Sequence, residues 1–162
     1  MSSFPWLPAL VLLSDCGDWN TFINVLYMYF KKDFVETKPV HCGTRLGLKR
    51  YPLVDGREAT FWHLITEGPD EKTRNPDERR CERIRWPKPA IERVPCAELR
   101  CWENCRKRER RIVIAFDDYS YVVILAERNG YLLPWSAYPV EREHRRRKLR
   151  QECEEYHKAQ KG

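Results

Sequence analysis

The stretch from Arg111 to Tyr138 reads RIVIAFDDYSYVVILAERNGYLLPWSAY, and it separates into three strand-like segments and two turns. Residues 111–116, 121–128 and 131–138 are rich in β-branched and aromatic side chains, which suit a pleated, half-buried surface. Asp117-Asp118 and Asn129-Gly130 stand between them. The second pair predicts a type I′ hairpin turn, in which both central residues take positive φ. Pro134 has no N–H to give to a ladder, so it puts its strand at a sheet edge or at a bulge. Residues 102–106 add an earlier strand to what reads as an antiparallel meander.

Upstream the periodicity changes. Trp19, Phe22, Ile23, Leu26, Tyr27 and Phe30 recur at three- and four-residue steps, one apolar stripe of a helix over residues 18–33 with Asp18 as its N-cap. Residues 45–51 alternate weakly and predict a short strand; Asp55-Gly56 marks a turn. Residues 57–67 (REATFWHLITE) mix helix-favouring and strand-favouring side chains and are read as helix, closed by Gly68-Pro69. A polar, exposed loop runs from there to Asn75. Asn75-Pro76 then predicts a helix start, Asn as cap and Pro at the first helical position, continuing through Arg85 and stopping near Pro87. On that helix Arg79, Arg80 and Arg83 share one broad face, and Pro89 opens a further short turn. Residues 141–158 have a charged helical composition.

Helices followed by a meander make the fold α+β. Residues 14–95 form N-terminal helices packed on a three- to four-stranded antiparallel sheet at 101–140, and a basic C-terminal helix covers 141–160. A chain of 162 residues is the length of a single domain, 1–162. Six Trp, eight Tyr and six Phe supply a core and exclude a disordered chain.

The net charge of +6 is unevenly placed. Residues 79–93, 106–111 and 141–150 each carry +4, so the rest of the chain carries −6. Concentrated positive charge suits a polyanion; the plainer reading is three solvated faces that never meet. Seven cysteines cannot all pair with one another. Cys81, Cys96, Cys101 and Cys105 could offer four thiolates to zinc, but no pair has CxxC spacing, and free thiols in a reducing cytosol are the simpler reading. Residues 1–13 have no Lys or Arg and are broken by Pro5 and Pro8, unlike a signal peptide. No apolar run approaches the ~20 residues of a membrane span. The expectation is a cytoplasmic protein with no membrane partner, whose N-terminal segment packs on its own core.

Nucleotide-binding loops are absent from the sequence, as are HExxH and GxSxG, and the carboxylates show no motif-like pairing. The expected chemistry uses no metal and no cofactor and rests on His, Arg, Lys, Tyr and hydroxyl groups. RNA cleavage fits such a set, because the 2′-hydroxyl is an internal nucleophile and the protein need supply only proton transfer and cations. His63, inside Phe61-Trp62-His63-Leu64-Ile65, is either a functional imidazole or a hydrogen-bonded core residue. Arg80, Arg83 and Arg85 could clamp phosphate, or pair with Glu78 and Glu82. Trp86 could stack a base or end a helix in the core. Ser136 and Tyr138, two apart on one strand, present hydroxyls on one face. His144, among arginines, suits a phosphate contact; His41 and His157 look incidental.

The order Asp15-Cys16-Gly17-Asp18-Trp19, Tyr29-Phe30-Lys31-Lys32-Asp33-Phe34, Phe61-Trp62-His63, Arg79-Arg80-Cys81-Glu82-Arg83-Ile84-Arg85-Trp86, Trp102-Glu103-Asn104, and Leu125-Ala126-Glu127-Arg128 through Ser136-Ala137-Tyr138 resembles a family of small prophage and mobile-element proteins. That family is similar to the phage-type branch of the barnase–EndoU–colicin–RelE-like ribonucleases, and the resemblance runs from about Asp15 to Arg150. It implies helices on a small antiparallel sheet, with RNA laid across the exposed sheet face. It implies His63 as general acid or base, Arg80 and Arg83 on the scissile phosphate, and Ser136 assisting from the last strand. The family pattern carries Thr where this chain has Ser136; both supply a hydroxyl.

The leading expectation is therefore a metal-independent endoribonuclease, a toxin-like effector acting on tRNA, mRNA or another structured RNA. Catalysis would rest on His63, Arg80, Arg83, Ser136 and Tyr138, and RNA binding on Arg79, Arg85, Trp86, Arg142, His144, Arg145, Arg146 and Lys148. A cognate inhibitor protein would be a second partner. The alternatives are a non-catalytic phage protein that binds nucleic acid or inhibits a host nucleoprotein complex, and the antitoxin or immunity half of a pair.

Overall fold

The computed structural model describes residues 4–70 and 73–161. In chain order its elements are α1 (Leu13–Cys16), α2 (Trp19–Phe30) continued by a π-helical segment (Lys31–Glu36), β1 (Val40–His41), β2 (Thr44–Arg45), α3 (Ala59–Ile65), β3 (Thr66–Glu67), β4 (Asn75–Pro76), α4 (Glu78–Glu82), α5 (Pro87–Arg93), β5 (Leu99–Arg106), β6 (Glu109–Phe116), β7 (Tyr121–Arg128), β8 (Tyr131–Pro139) and α6 (Glu143–Lys161). The fold is α+β. Strands β5 to β8 form the expected antiparallel meander, in sequence order across the sheet. Among the described residues no helix is long and apolar enough to cross a membrane.

Strand alternation gives the sheet two apolar faces. On the first, Ile112, Ile114, Phe116, Tyr121, Val123, Leu125, Leu132 and Ala137 join Phe22, Leu26, Phe30, Phe34, Phe61, Leu64, Ile84 and Ile91 in one buried core. Burying each large side chain contributes about 1.5–3 kcal/mol, and this core holds the N-terminal helices on the sheet. Phe4 and Trp6 stack on each other and meet Phe116, so the N-terminal segment does pack on the body of the molecule. On the second face Trp102, Val113, Ala115 and Val122 form a cluster with Leu149 and Cys153 of α6. The second face is therefore not open throughout, as the family resemblance implies. The basic C-terminal helix covers part of it, while Ile124, Ser136 and Tyr138 stay half-buried beside that helix.

Several local expectations change. Asp18 caps α2, its carboxylate accepting from Thr21 N at 2.8 Å. Asn75-Pro76 does not start a helix; it pairs with Thr66-Glu67 as β4. The cap is Asp77, whose Oδ1 accepts from Arg79 N at 2.9 Å. Pro76 can sit at this strand position because a two-stranded edge does not demand its missing N–H. Helix α4 then ends at Glu82, because Arg83 leaves the helical region at φ −104° and ψ 22°, and α5 begins at Pro87, before Pro89. Of residues 45–51 only Arg45 joins a strand, with Leu46 bridging to Leu132. In the polar loop, residues 71 and 72 lie outside the described residues. At Asn129-Gly130 only Gly130 has positive φ, so the turn is not type I′; Lys107 and Arg108, in the first hairpin, both have positive φ (52° and 64°).

Strand β8 is an edge, as Pro134 requires, and it also carries a bulge. Ser136 faces Ile124 and Pro134 faces Leu125, which leaves Trp135 as the extra residue. All seven cysteines are free thiols: Cys81, on α4, is buried while Cys105 is exposed. Among the described residues no three His, Cys, Asp or Glu side chains gather to hold a metal ion.

Candidate functional site

The edge strand β8 borders α3 and α4, and three groups far apart in sequence meet along it. The His63 imidazole lies 4.8 Å from the Trp135 ring, tilted 35° to it, and the residue is 7% exposed. One position on, the Ser136 hydroxyl accepts from Nη1 of Arg80 at 3.3 Å. The same nitrogen donates to the Thr66 carbonyl at 2.9 Å, and the guanidinium carbon sits 4.9 Å over the Tyr138 ring. Arg80 Nε is buried with no hydrogen-bond partner; the nearest carboxylate oxygen, Asp77 Oδ2, is 3.8 Å away. Asp77 thus faces Nε, and an anion arriving at Ser136 would meet the guanidinium through Nη1.

Two arginines complete the surroundings of Trp135. Arg111 and Arg128 each lie 5.4 Å from its ring centre, and both pair with Glu109. Arg74 holds the end of α3, donating to the carbonyls of His63 (3.3 Å), Thr66 (2.6 Å) and Gly68 (2.7 Å). These contacts fix the helix end from which His63 projects. Arg145 reaches the Tyr138 hydroxyl at 3.5 Å, a long and weak bond.

Four of the five catalytic candidates, His63, Arg80, Ser136 and Tyr138, are thus brought to one strand edge. Arg83 is not. Its Nη1 donates to the Arg79 carbonyl, it pairs with Glu82, and it lies over Trp86, because the chain has turned out of the helix at that residue. Arg83 instead borders a cleft of about 750 Å³ beside the N-terminal segment, shared with Arg79 and Arg146. There Arg79 is ion-paired with Glu141, and Arg146 donates to the Val140 carbonyl. Arg85 stacks on Tyr29 at 4.6 Å. Trp86 is 8% exposed, donates to the Pro8 carbonyl at 2.9 Å and packs on Phe116 and Tyr121, so its ring belongs to the core and is no platform for a base. Arg142 and His144 are exposed near the start of α6, while Arg145 and Lys148 face the sheet across a groove that includes Tyr138.

Trp135, Arg111 and Arg74 are members that the sequence reading misses. Pro134 signals a bulge, and a bulge re-aims the next side chain, so Trp135 had a signal; Arg111 had one in the basic run 106–111; Arg74, in a polar loop, had none.

No family model, curated protein or solved structure matches this chain. The chemistry must be read from the side chains. An imidazole can accept or donate a proton, Arg80 presents planar cationic donors, and the hydroxyls of Ser136 and Tyr138 can donate to an oxyanion.

Proposed function

We propose that the protein is a metal-independent endoribonuclease with a toxin-like role. The observation that supports it best is the meeting of Arg80 with Ser136 and Tyr138 on the strand whose bulged Trp135 carries the His63 ring. The family resemblance implies His63, Arg80 and Ser136 independently of any contact; it also implies Arg83, which lies away from this edge. In the reaction the 2′-oxygen bonds to phosphorus while the P–O5′ bond breaks. His63 takes the 2′-hydroxyl proton while water protonates the leaving 5′-oxygen, or His63 protonates the 5′-oxygen while water takes the 2′-hydroxyl proton, and Arg80 with Ser136 stabilises the charge of the phosphorane. The products are a 2′,3′-cyclic phosphate and a 5′-hydroxyl.

The test is cleavage of a broad RNA panel in EDTA, with growth arrest on induction as the cellular readout. His63→Ala and His63→Gln should abolish both while keeping the circular dichroism of the wild type. An RNA panel left uncut with and without divalent ions would sink this reading.

The exposure of only 7% at His63 favours a second reading, a non-catalytic nucleic-acid-binding protein in which the imidazole is packing. In that case His63→Ala binds and acts like the wild type.

A further inference from the structure

We propose that the cavity bordered by the β1–β2 hairpin, the β7–β8 turn and the end of α6 binds a small organic cation carrying N–H donors, an alkylamine or an alkylguanidine. The inference goes beyond the ribonuclease reading and stands without it.

The cavity has a volume of about 730 Å³, within the range of sites for small molecules. Strand alternation puts Cys101 and Glu103 of β5, Arg110 and Ile112 of β6 and Glu127 of β7 on one sheet face, where they line its floor. His41 and Cys42 border it from the hairpin, and Tyr156 and His157 from α6. The His157 ring meets the Cys101 carbonyl at 2.9 Å, which ties the α6 wall to the edge strand. At the rim the Tyr131 ring lies against Gly47, closer than a Cβ there would allow. This is the sheet face opposite Arg111 and Trp135, so the cavity is separate from the His63 site.

The charge inside is negative. Arg128 lines the cavity, but its guanidinium pairs with Glu109 and lies against Trp135 on the other face. That leaves Arg110 between two carboxylates, a net charge of −1. Glu103 accepts from Arg110 Nε at 2.7 Å and Nη2 at 2.6 Å, while Glu127 accepts Nη1 on Oε2. Among the described residues Glu127 Oε1 accepts nothing. The two carboxylates already hold one guanidinium, and a second N–H cation reaching Glu127 meets both charge and an unused acceptor.

His41 supplies an independent sign of a missing donor. The residue is 6% exposed, and its Nδ1 is buried with no hydrogen-bond partner. Burial favours the neutral ring, which can accept at Nδ1 with its proton on Nε2. A ligand N–H would satisfy that nitrogen. The rings of Tyr131 and Tyr156 offer faces to a cation. An anion would be repelled by the net charge. The side chains favour an organic cation over a metal ion, since among the described residues no three His, Cys, Asp or Glu side chains gather to hold one.

The experiment is an NMR titration of the isotope-labelled protein with n-butylguanidinium, n-butylammonium, n-butyltrimethylammonium and inorganic phosphate. The first two separate a guanidine ligand from an amine. At least one of them should shift the amides of Cys42, Glu127 and Gly130 saturably. It should bind about tenfold or more tighter than n-butyltrimethylammonium, which keeps the charge and has no N–H. Glu127→Gln, at an exposed position, should weaken that binding by about tenfold, the scale of a hydrogen bond to a charged group. His41→Phe should weaken it several-fold; should that variant fail to fold, Glu127→Gln decides alone. The proposal is overturned if neither N–H cation gives a saturable shift, or if n-butyltrimethylammonium binds as tightly. Phosphate binding in their place overturns it too, as does Glu127→Gln binding like the wild type. No arm contains RNA, so none of these outcomes bears on the nuclease.

Discussion

The Arg80 guanidinium rests 4.9 Å over the ring of Tyr138, while its Nη1 bonds to the hydroxyl of Ser136 on the same strand. The ring supports the cation on a flat face and the hydroxyl fixes its direction, so the planar fork matters as much as the charge. Arg80→Lys keeps the charge and loses the fork. Cleavage should fall about 100-fold, the scale of removing one preorganised donor, with little change in melting temperature. Arg80→Ala should in addition lower stability by about 1 kcal/mol, because the Thr66 carbonyl keeps only its Arg74 bond. Kinetics on one short RNA, with urea denaturation, separate the two effects.

His41 gives a pH signature that belongs to the fold and not to the site. It is 6% exposed and its Nδ1 has no partner. Burial, helped by the Arg110 charge, holds its pKa below the ordinary 6.5 against the raising influence of Ile91 and Glu103. The folded protein thus keeps it neutral where the unfolded chain already protonates it. Stability is fully present above about pH 6.5 and is lost as pH falls from there through the lower folded value. Urea midpoints measured from pH 7.5 to 5 should decline, and His41→Phe should flatten the upper part of that decline. An unchanged slope in the variant would assign the loss to other groups.

Helix α6 is held by two kinds of contact. Leu149 and Cys153 are buried against the sheet, and Glu152 accepts from the Trp102 indole at 2.7 Å. Leu149→Ala should cost about 2–4 kcal/mol through the lost methyl groups and the cavity. Trp102→Phe removes the donor and should cost about 1–3 kcal/mol. Hydrogen exchange should show α6 amides losing protection before those of β6 and β7 in both variants.

What was legible in the sequence follows from where the determining physics is local. Residues 111–138 declare their strands because β-branched and aromatic runs must be packed on both faces, and Trp19 to Phe30 declare a helix by spacing. The first hairpin was only half visible. Its left-handed residues are Lys107 and Arg108, which carry no turn chemistry of their own, so strand pairing imposes that backbone. Asn75 and Asp77 are rival caps two residues apart, and the pairing of Pro76 with Thr66, a contact across the chain, decides between them. Arg79 and Arg83 share a face only if the helix continues, and it stops at Glu82. The site is the least local feature of all. Arg80 and Ser136 are 56 positions apart, and nothing in either neighbourhood states that they touch.

Trp135 supplies the sharpest remaining test, because one side chain contacts the imidazole and two of the cations. The bulge turns it toward His63 at 4.8 Å, and Arg111 and Arg128 both lie 5.4 Å from its ring. If that ring orients the imidazole, Trp135→Ala should lower kcat by 10- to 100-fold, the scale of an ångström-size misplacement. KM should rise as well, since the two arginines lose the aromatic face that places them. Trp135→Phe keeps a ring at the same position and should retain most of the activity. The opposite result, Trp135→Ala cutting RNA faster than the wild type, would mean that the indole covers the imidazole and must leave before RNA can reach it. Steady-state kinetics of the two variants on one short single-stranded RNA distinguish a support from a cover.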